Sequence, residues 1–215
     1  MKLIQFVIDN YEMILEKAGQ HISMAGIAVL IAIGVGVPVG FLIANRKKLA
    51  AVVINIANII QTIPSLALFA FAMPLLGIGA KPAILALFLY ALLPIIKNTL
   101  IGIRNVNPAI REAARGMGMS KWQIMFQVEI PLAVSVIMGG VRIATVTSIG
   151  IATIATLIGA GGLGQLIYEG LGNYDTERIL AGAIFSALLA LLADFILGFV
   201  EKKLTSKGIV KQDII

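Results

Sequence analysis

Few side chains in this 215-residue chain could do covalent or metal chemistry. There is no cysteine, which excludes disulfides, thiolate catalysis and sulfur-ligated metal sites. The single histidine, His21, cannot build a histidine metal cluster, and no serine stands near a second histidine or an evident base. His21 and Ser23 read as interface residues at the start of an apolar run. No Gly-Lys pair occurs, so a G-x-x-x-x-G-K-[ST] phosphate loop is impossible. What remains is charge in unusual places. Arg142 and Asp194 lie inside apolar runs, Arg142 eleven residues past Pro131 and Asp194 eight before Lys202. At a helical rise of roughly 1.5 Å per residue both sit about two to three turns in from the same boundary. Equal depth and opposite sign predict an ion pair, structural more than substrate-binding.

The densest constellation is "REAARGMGMSKWQIMFQVEIP", Arg111 to Pro131, with five charges between long apolar segments. Asn107-Pro108 is a cap residue followed by proline at the first helical position. The helix it starts runs to about Met117, where Gly118 can take the left-handed cap. Ser120-Lys-Trp-Gln123 fits a capping box and starts a second helix, and Pro131 marks the return to apolar sequence. Glu112-Ala113-Ala114 sets two methyl side chains beside a carboxylate, and Trp122 and Phe126 stand four apart on one ridge. Such a two-helix loop reads as a docking element, or as a loop packed on its own subunit.

Two further clusters could serve a pathway. Gln61-Thr62-Ile63-Pro64-Ser65 falls in mid-span, where Pro64 must bend or loosen the helix. Its polar side chains are costly facing lipid, so they read equally as hinge and pathway lining or as glue between helices. Gly159, Gly161, Gly162 and Gly164 fall within six residues and allow a sharp turn and close backbone approach.

These residues need a scaffold, and composition names its class. The chain is 59% hydrophobic and 13% charged, with a mean hydropathy of +0.99. That is an integral membrane protein, and unbroken apolar runs favour helices over a barrel. We read an all-α polytopic fold of about five transmembrane helices forming one domain over 1–215. The spans are Ile22–Ala44, Leu49–Leu76, Ala80 to about Ile103, Leu132 to about Ile158, and Ile179–Val200. Residues 1–20 have apolar positions at helical spacing opposite Gln5, Asp9, Glu12 and Glu16. They are expected to form an amphipathic interfacial helix, or simply the first turns before the span. Interruption by those charges argues against a signal peptide.

Twelve of the 17 Lys and Arg residues fall on one side of these spans and four on the other. This bias predicts the N-terminus outside and the C-terminus inside, with the 104–131 loop and the basic tail (Lys202, Lys203, Lys207, Lys211) cytoplasmic. The formal charge of +6 is therefore membrane asymmetry, not nucleic-acid binding.

The "EAARGMGMSKWQIMFQVEIP" segment resembles the EAA signature of ABC importer permeases, with Glu112, Ala113, Ala114, Gly118, Ile130 and Pro131 matching. "QTIPSLALFAF" from Gln61, "RIATVTSIGIATIATLIGAGGLG" from Arg142 and "GQHISMAG" from Gly19 extend the likeness to the permeases of osmoprotectant importers for glycine betaine, carnitine, choline and related solutes. One departure is Glu129-Ile130, where the family often has an apolar residue and Leu.

The resemblance implies that Glu112, Ala113, Ala114 and Gly118, with Trp122 and Pro131, form a loop that fits a groove on a cytoplasmic ATPase. Two ATPase subunits would bind ATP and Mg, and this chain would bind no cofactor and catalyse nothing. It would pair with a second permease subunit, itself or a relative, in the bacterial cytoplasmic membrane. The 159–178 segment would help form the external gate. The cage of aromatic rings that a quaternary ammonium favours cannot be built from Tyr90 and Tyr168 alone. Selection is therefore expected in an external substrate-binding protein on a separate chain. Rival readings are a methionine-type or other small-solute importer permease and, in another class, a stand-alone channel or secondary transporter. The latter needs its own coupling-ion site, yet Asp194 is the one mid-span carboxylate.

Overall fold

A computed structural model describes residues 2–205, all of whose regular structure is helical. Lys207 and Lys211 of the basic tail lie outside the described residues. The elements are α1 (Lys2–Asp9), α2 (Tyr11–Ala44), α3 (Lys47–Thr62), α4 (Ser65–Leu76), α5 (Ala80–Arg104), α6 (Pro108–Gly116), α7 (Lys121–Ile124), α8 (Ile130–Ala152), α9 (Gly164–Asn173) and α10 (Thr176–Leu204). A π turn over Met125–Glu129 joins α7 to α8, and a 3-10 turn over Ile154–Ile158 follows α8.

Among the described residues, four helical runs are long and apolar enough to cross a membrane: α2, α5, the continuous Lys121–Ala152 run and α10. α3 and α4 together are also apolar enough and make a fifth if the pair, bent by 97°, is counted as one broken span. The second span, expected to bend or loosen at Pro64, is thus broken into two helices. Pro64, which lacks an N–H and fixes its own φ, stands at the break as the N-cap of α4.

The N-terminal boundary also differs from expectation. A separate helix ends at Asp9, not near residue 20, and residues 11–20 are continuous with the first span. Ile14, 2% exposed against Leu163 and Leu166, anchors one face of this stretch to the protein, while Tyr11 and Leu15 stay exposed.

α5 is the central helix, packed on α2, α3, α4 and α8. Three clusters stack along it. Phe69, Leu87 and Ala155 pack near the 159–164 glycine loop, Ala32, Ile95 and Ala144 in the middle, and Ile43, Ile103 and Ala133 near the charged loop. Inside lipid there is little hydrophobic drive between helices, so close backbone approach decides which faces meet. A Cβ on Gly40 of α2 would lie 2.6 Å from Thr99 Cβ of α5. One on Gly140 of α8 would lie 2.6 Å from Asn98 Cβ and 2.7 Å from Pro94 O. Gly139, by contrast, faces open space.

We expect Gly140→Ala to cost about 1–3 kcal/mol by overpacking the α5–α8 seam, while Gly139→Ala is neutral or slightly stabilising. Thermal unfolding in detergent checks this, and equal midpoints for the two variants would contradict it.

Candidate functional site

The charged loop is built from local caps. Asn107 Oδ1 accepts from Ala109 N–H at 2.9 Å, and Pro108 opens α6. Gly118 takes φ +78°, and Met119 N–H closes on Ala114 O at 3.2 Å. At the next helix, Gln123 N–H donates to Ser120 Oγ at 3.3 Å and Ser120 N–H to Gln123 Oε1 at 2.8 Å. The second helix is not free-standing: its π turn carries it directly into α8. Pro131 would crowd the carbonyl four residues back, and the widened turn, with Ile130 N–H reaching Met125 O, accommodates it.

Glu112 and Ala113 are exposed, but Ala114 is 1% exposed, packed into its own chain. The close-approach surface is therefore one alanine, not two. The Trp122 and Phe126 rings stack with centroids 6.1 Å apart and are 67% and 60% exposed. One side of this ridge walls an apolar groove of about 700 Å³ between α2 and α8, with Val37, Phe41, Val134 and Met138.

Glu129, tolerated on sequence grounds, has a defined partner: Arg111 Nε stands 2.8 Å from its Oε1, with both side chains largely buried. Arg111 also donates through Nη2 to Ile103 O at the end of α5. Arg104 Nε donates to Ala44 O at 2.9 Å. Arg104 thus ties the end of α5 to the last carbonyl of α2, and Arg111 fastens the loop to the end of α5.

The Gln61–Ser65 cluster sits at the bend. Pro94 has no N–H for the Tyr90 carbonyl four residues earlier. Gln61 Nε2 donates to that orphaned carbonyl at 2.9 Å. In return Tyr90 Oη donates to Ile63 O, freed by the break at Pro64. Thr62 Oγ1 bonds its own helix, at Ile59 O. Thr62 and Pro64 remain exposed on the protomer, and Ser65 is half-buried.

Arg142 and Asp194 meet in a bidentate pair, Nε–Oδ1 and Nη2–Oδ2 both 2.8 Å. The cluster is larger than the expected pair. Arg142 Nη1 donates to Glu201 Oε2 at 3.0 Å, and Ser135 Oγ to Glu201 Oε1 at 2.7 Å. Both couples, Ser135 with Arg142 and Asp194 with Glu201, are seven apart. Two turns put each couple on one helix face, a spacing that was readable in the sequence.

At the opposite end, Gly159, Gly161 and Gly162 have φ of +75°, +77° and +82°. A Cβ on Gly164 would run into Thr153 O at the end of α8. The loop is held by residues that sequence reasoning assigned elsewhere. His21, expected at an interface, is 0% exposed. Its Nε2 lies 2.9 Å from Ile149 O, and its Nδ1 accepts from Leu163 N–H at 3.2 Å. Gln20 Oε1 accepts from Gly162 N–H at 3.1 Å. A polar cavity of about 430 Å³ adjoins, lined by Lys17, Gln20, Thr156, Gly161 and Gln165.

A bundle of four to five apolar spans, with a capped polar loop at one end and a clamped glycine loop at the other, has known counterparts. Residues 36–206 match the family described as binding-protein-dependent transport system inner membrane component. The chain belongs to this family of ABC transporter permeases. Among similar proteins, a carnitine transport permease protein of Listeria monocytogenes is 47% identical over 96% of this chain and 95% of its own. A choline transport system permease protein of Bacillus subtilis is 46% identical over 96% and 95%. An osmoprotectant import permease protein of Salmonella typhimurium is 44% identical over 97% and 100%. The fold is that of a chain of the inward-facing MetNI methionine ABC transporter, at a TM-score of 0.82 and 23% identity over 92% of this chain and 99% of that one.

As an inner membrane component the permease is a multi-pass protein of the bacterial plasma membrane, in a family whose subunits are non-catalytic. Among the described residues no three His, Cys, Asp or Glu side chains are grouped for a metal.

The charge cluster yields a prediction. Arg142→Met alone leaves Asp194 and Glu201 facing each other without a cation, so it should destabilise more than Arg142→Met with Asp194→Leu. A double-mutant cycle on detergent unfolding should show coupling of about 0.5–3 kcal/mol. Additive losses would show that the pair carries no joint energy.

Proposed function

We propose that this permease is the membrane-spanning subunit of an ATP-driven importer of osmoprotectants, quaternary ammonium solutes of the glycine betaine, carnitine and choline class. The supporting observation is likeness at 44–48% identity, over almost the whole chain, to permeases whose names give those solutes. The partners follow from that reading: two cytoplasmic ABC ATPases that bind ATP and Mg, a second permease subunit, and an external binding protein that selects the solute. The basic-residue bias supports the N-terminus outside and the 104–131 loop inside.

In this reading the loop is the coupling element. Exposed Glu112 and Ala113 of α6 offer the surface for the ATPase. Gly118 sets the angle between the two short helices. Trp122 and Phe126, over an apolar groove, seat the projection at the membrane surface. Arg111–Glu129 and Pro131 transmit its position to α8. Movement at the bend (Gln61, Thr62, Pro64, Ser65) and at the glycine loop (Gly159, Gly161, Gly162, Gly164) then exposes the pathway alternately to each side, while Arg142–Asp194 keeps α8 and α10 together.

Reconstitution with and without the cognate ATPase and binding protein tests this. Uptake should require both partners and ATP. Glu112→Lys, and Gly118→Leu, which forces a bulky residue to φ +78° at roughly 1–2 kcal/mol, should cut uptake at least about tenfold while leaving insertion intact. Full transport by both variants, or uptake by the permease alone, would remove the coupling role.

A further inference from the structure

The glycine loop is not simply a tight connection. Three side-chain bonds from the first span reach it or the helix end beside it, all between residues more than a hundred apart in sequence. α8 stops at Ala152, where Thr153 N–H turns to Gly150 O at 3.4 Å in a tighter turn. The neighbouring Ile149 carbonyl takes its bond from His21 instead. Because Leu163 N–H donates to Nδ1, that nitrogen carries no proton, and the bonding pattern puts the ring proton on Nε2, pointing at Ile149 O. One neutral imidazole thus joins α2, the end of α8 and the loop. Gln20 adds the Gly162 N–H one residue earlier.

The fit depends on the glycines. A Cβ on Gly162 would stand 3.1 Å from His21 Nδ1 and 3.2 Å from Met24 Cε, and one on Gly161 would run into Gln20 Oε1. The backbone approaches these side chains because nothing stands between. The buried N–H groups at Gly162 and Leu163, in a loop with no helical partner for them, would be costly if left unmade.

The geometry points to a latch: Gln20 and His21 are positioning residues that hold the Gly159–Gly164 loop across this end of the bundle, and the loop moves only when their bonds to Gly162 and Leu163 break. The latch deepens the proposal that this loop gates the pathway and rests on it for its meaning in transport. Its two nitrogens have separable jobs. Asparagine can place an acceptor where Nδ1 stands, and glutamine a donor where Nε2 stands.

The experiment uses the whole transporter in lipid nanodiscs. It follows amide hydrogen exchange in peptides covering residues 160–164, together with basal ATPase activity and uptake. Gln20→Leu and His21→Gln should speed exchange at Gly162 and Leu163 respectively by about tenfold, with the unfolding midpoint of the complex little changed for Gln20→Leu, whose side chain lies at a part-exposed position. His21→Asn should keep Leu163 slow and partly restore uptake lost in His21→Gln. Unchanged exchange in both Gln20→Leu and His21→Gln overturns the latch. Equal exchange in the Asn and Gln variants overturns the division between the two nitrogens. Faster exchange with unaltered ATPase activity and uptake leaves the latch standing and overturns the gate reading instead.

Discussion

A helix that breaks inside a hydrocarbon layer leaves backbone groups that water cannot reach, and this permease breaks helices repeatedly. Prolines stand within α2, α4 and α5 and at the bend between α3 and α4. Each break creates a carbonyl or N–H needing a partner, at a cost of several kcal/mol if none is found. The polar side chains of the spans follow that demand. Gln61 reaches the carbonyl that Pro94 orphans, Tyr90 the one released at Ile63, and His21 the one at Ile149. Gln61, Tyr90 and His21 each join two elements through these bonds, whereas Thr62, Thr145 and Ser186 bond carbonyls of their own helices.

The two ends of the bundle solve the same problem differently. At the charged loop, local caps close the short helices and arginines reach carbonyls of neighbouring spans. The caps make the loop self-consistent, and Arg111–Glu129 holds it to the bundle. At the glycine loop, Gly159 and Ala160 N–H groups close the preceding 3-10 turn, but the Gly162 and Leu163 N–H groups depend on α2. The first end suits repeated contact with a soluble partner. At the second, those two N–H groups are met by side chains of α2 and not by their own turn.

What could be read from sequence divides along the same line. Asn107, Gly118, Ser120 and Gln123 were legible because cap chemistry is complete within five residues. Arg142 and Asp194 were legible because depth in a membrane is a coordinate that sequence measures. His21 was misplaced because its partners lie 128 and 142 residues away and are backbone atoms, which carry no residue type to recognise. Glu129 looked like drift from a pattern because its meaning is Arg111, on the other side of two turns. The 97° bend at Pro64 exceeded the expected kink because the exchange of bonds between Gln61, Ile63 and Tyr90 stabilises a full break, and that exchange needs α5 in place.

α8 joins the two ends. With α7 and the π turn it makes one continuous run from Lys121 to Ala152, and a 3-10 turn follows it. Irregular turns thus flank α8 on both sides, while the segment between is closely packed on α5 through Gly140. A displacement of the projection, transmitted through Glu129 and Pro131, would therefore arrive at Ile149, where the His21 ring waits. Arg142 and Asp194 sit between these points and tie α10 to the same helix. With the loop as the coupling element, the shortest mechanical path from motor to gate is a single helix, and the residues that interrupt its ends are those that make it useful.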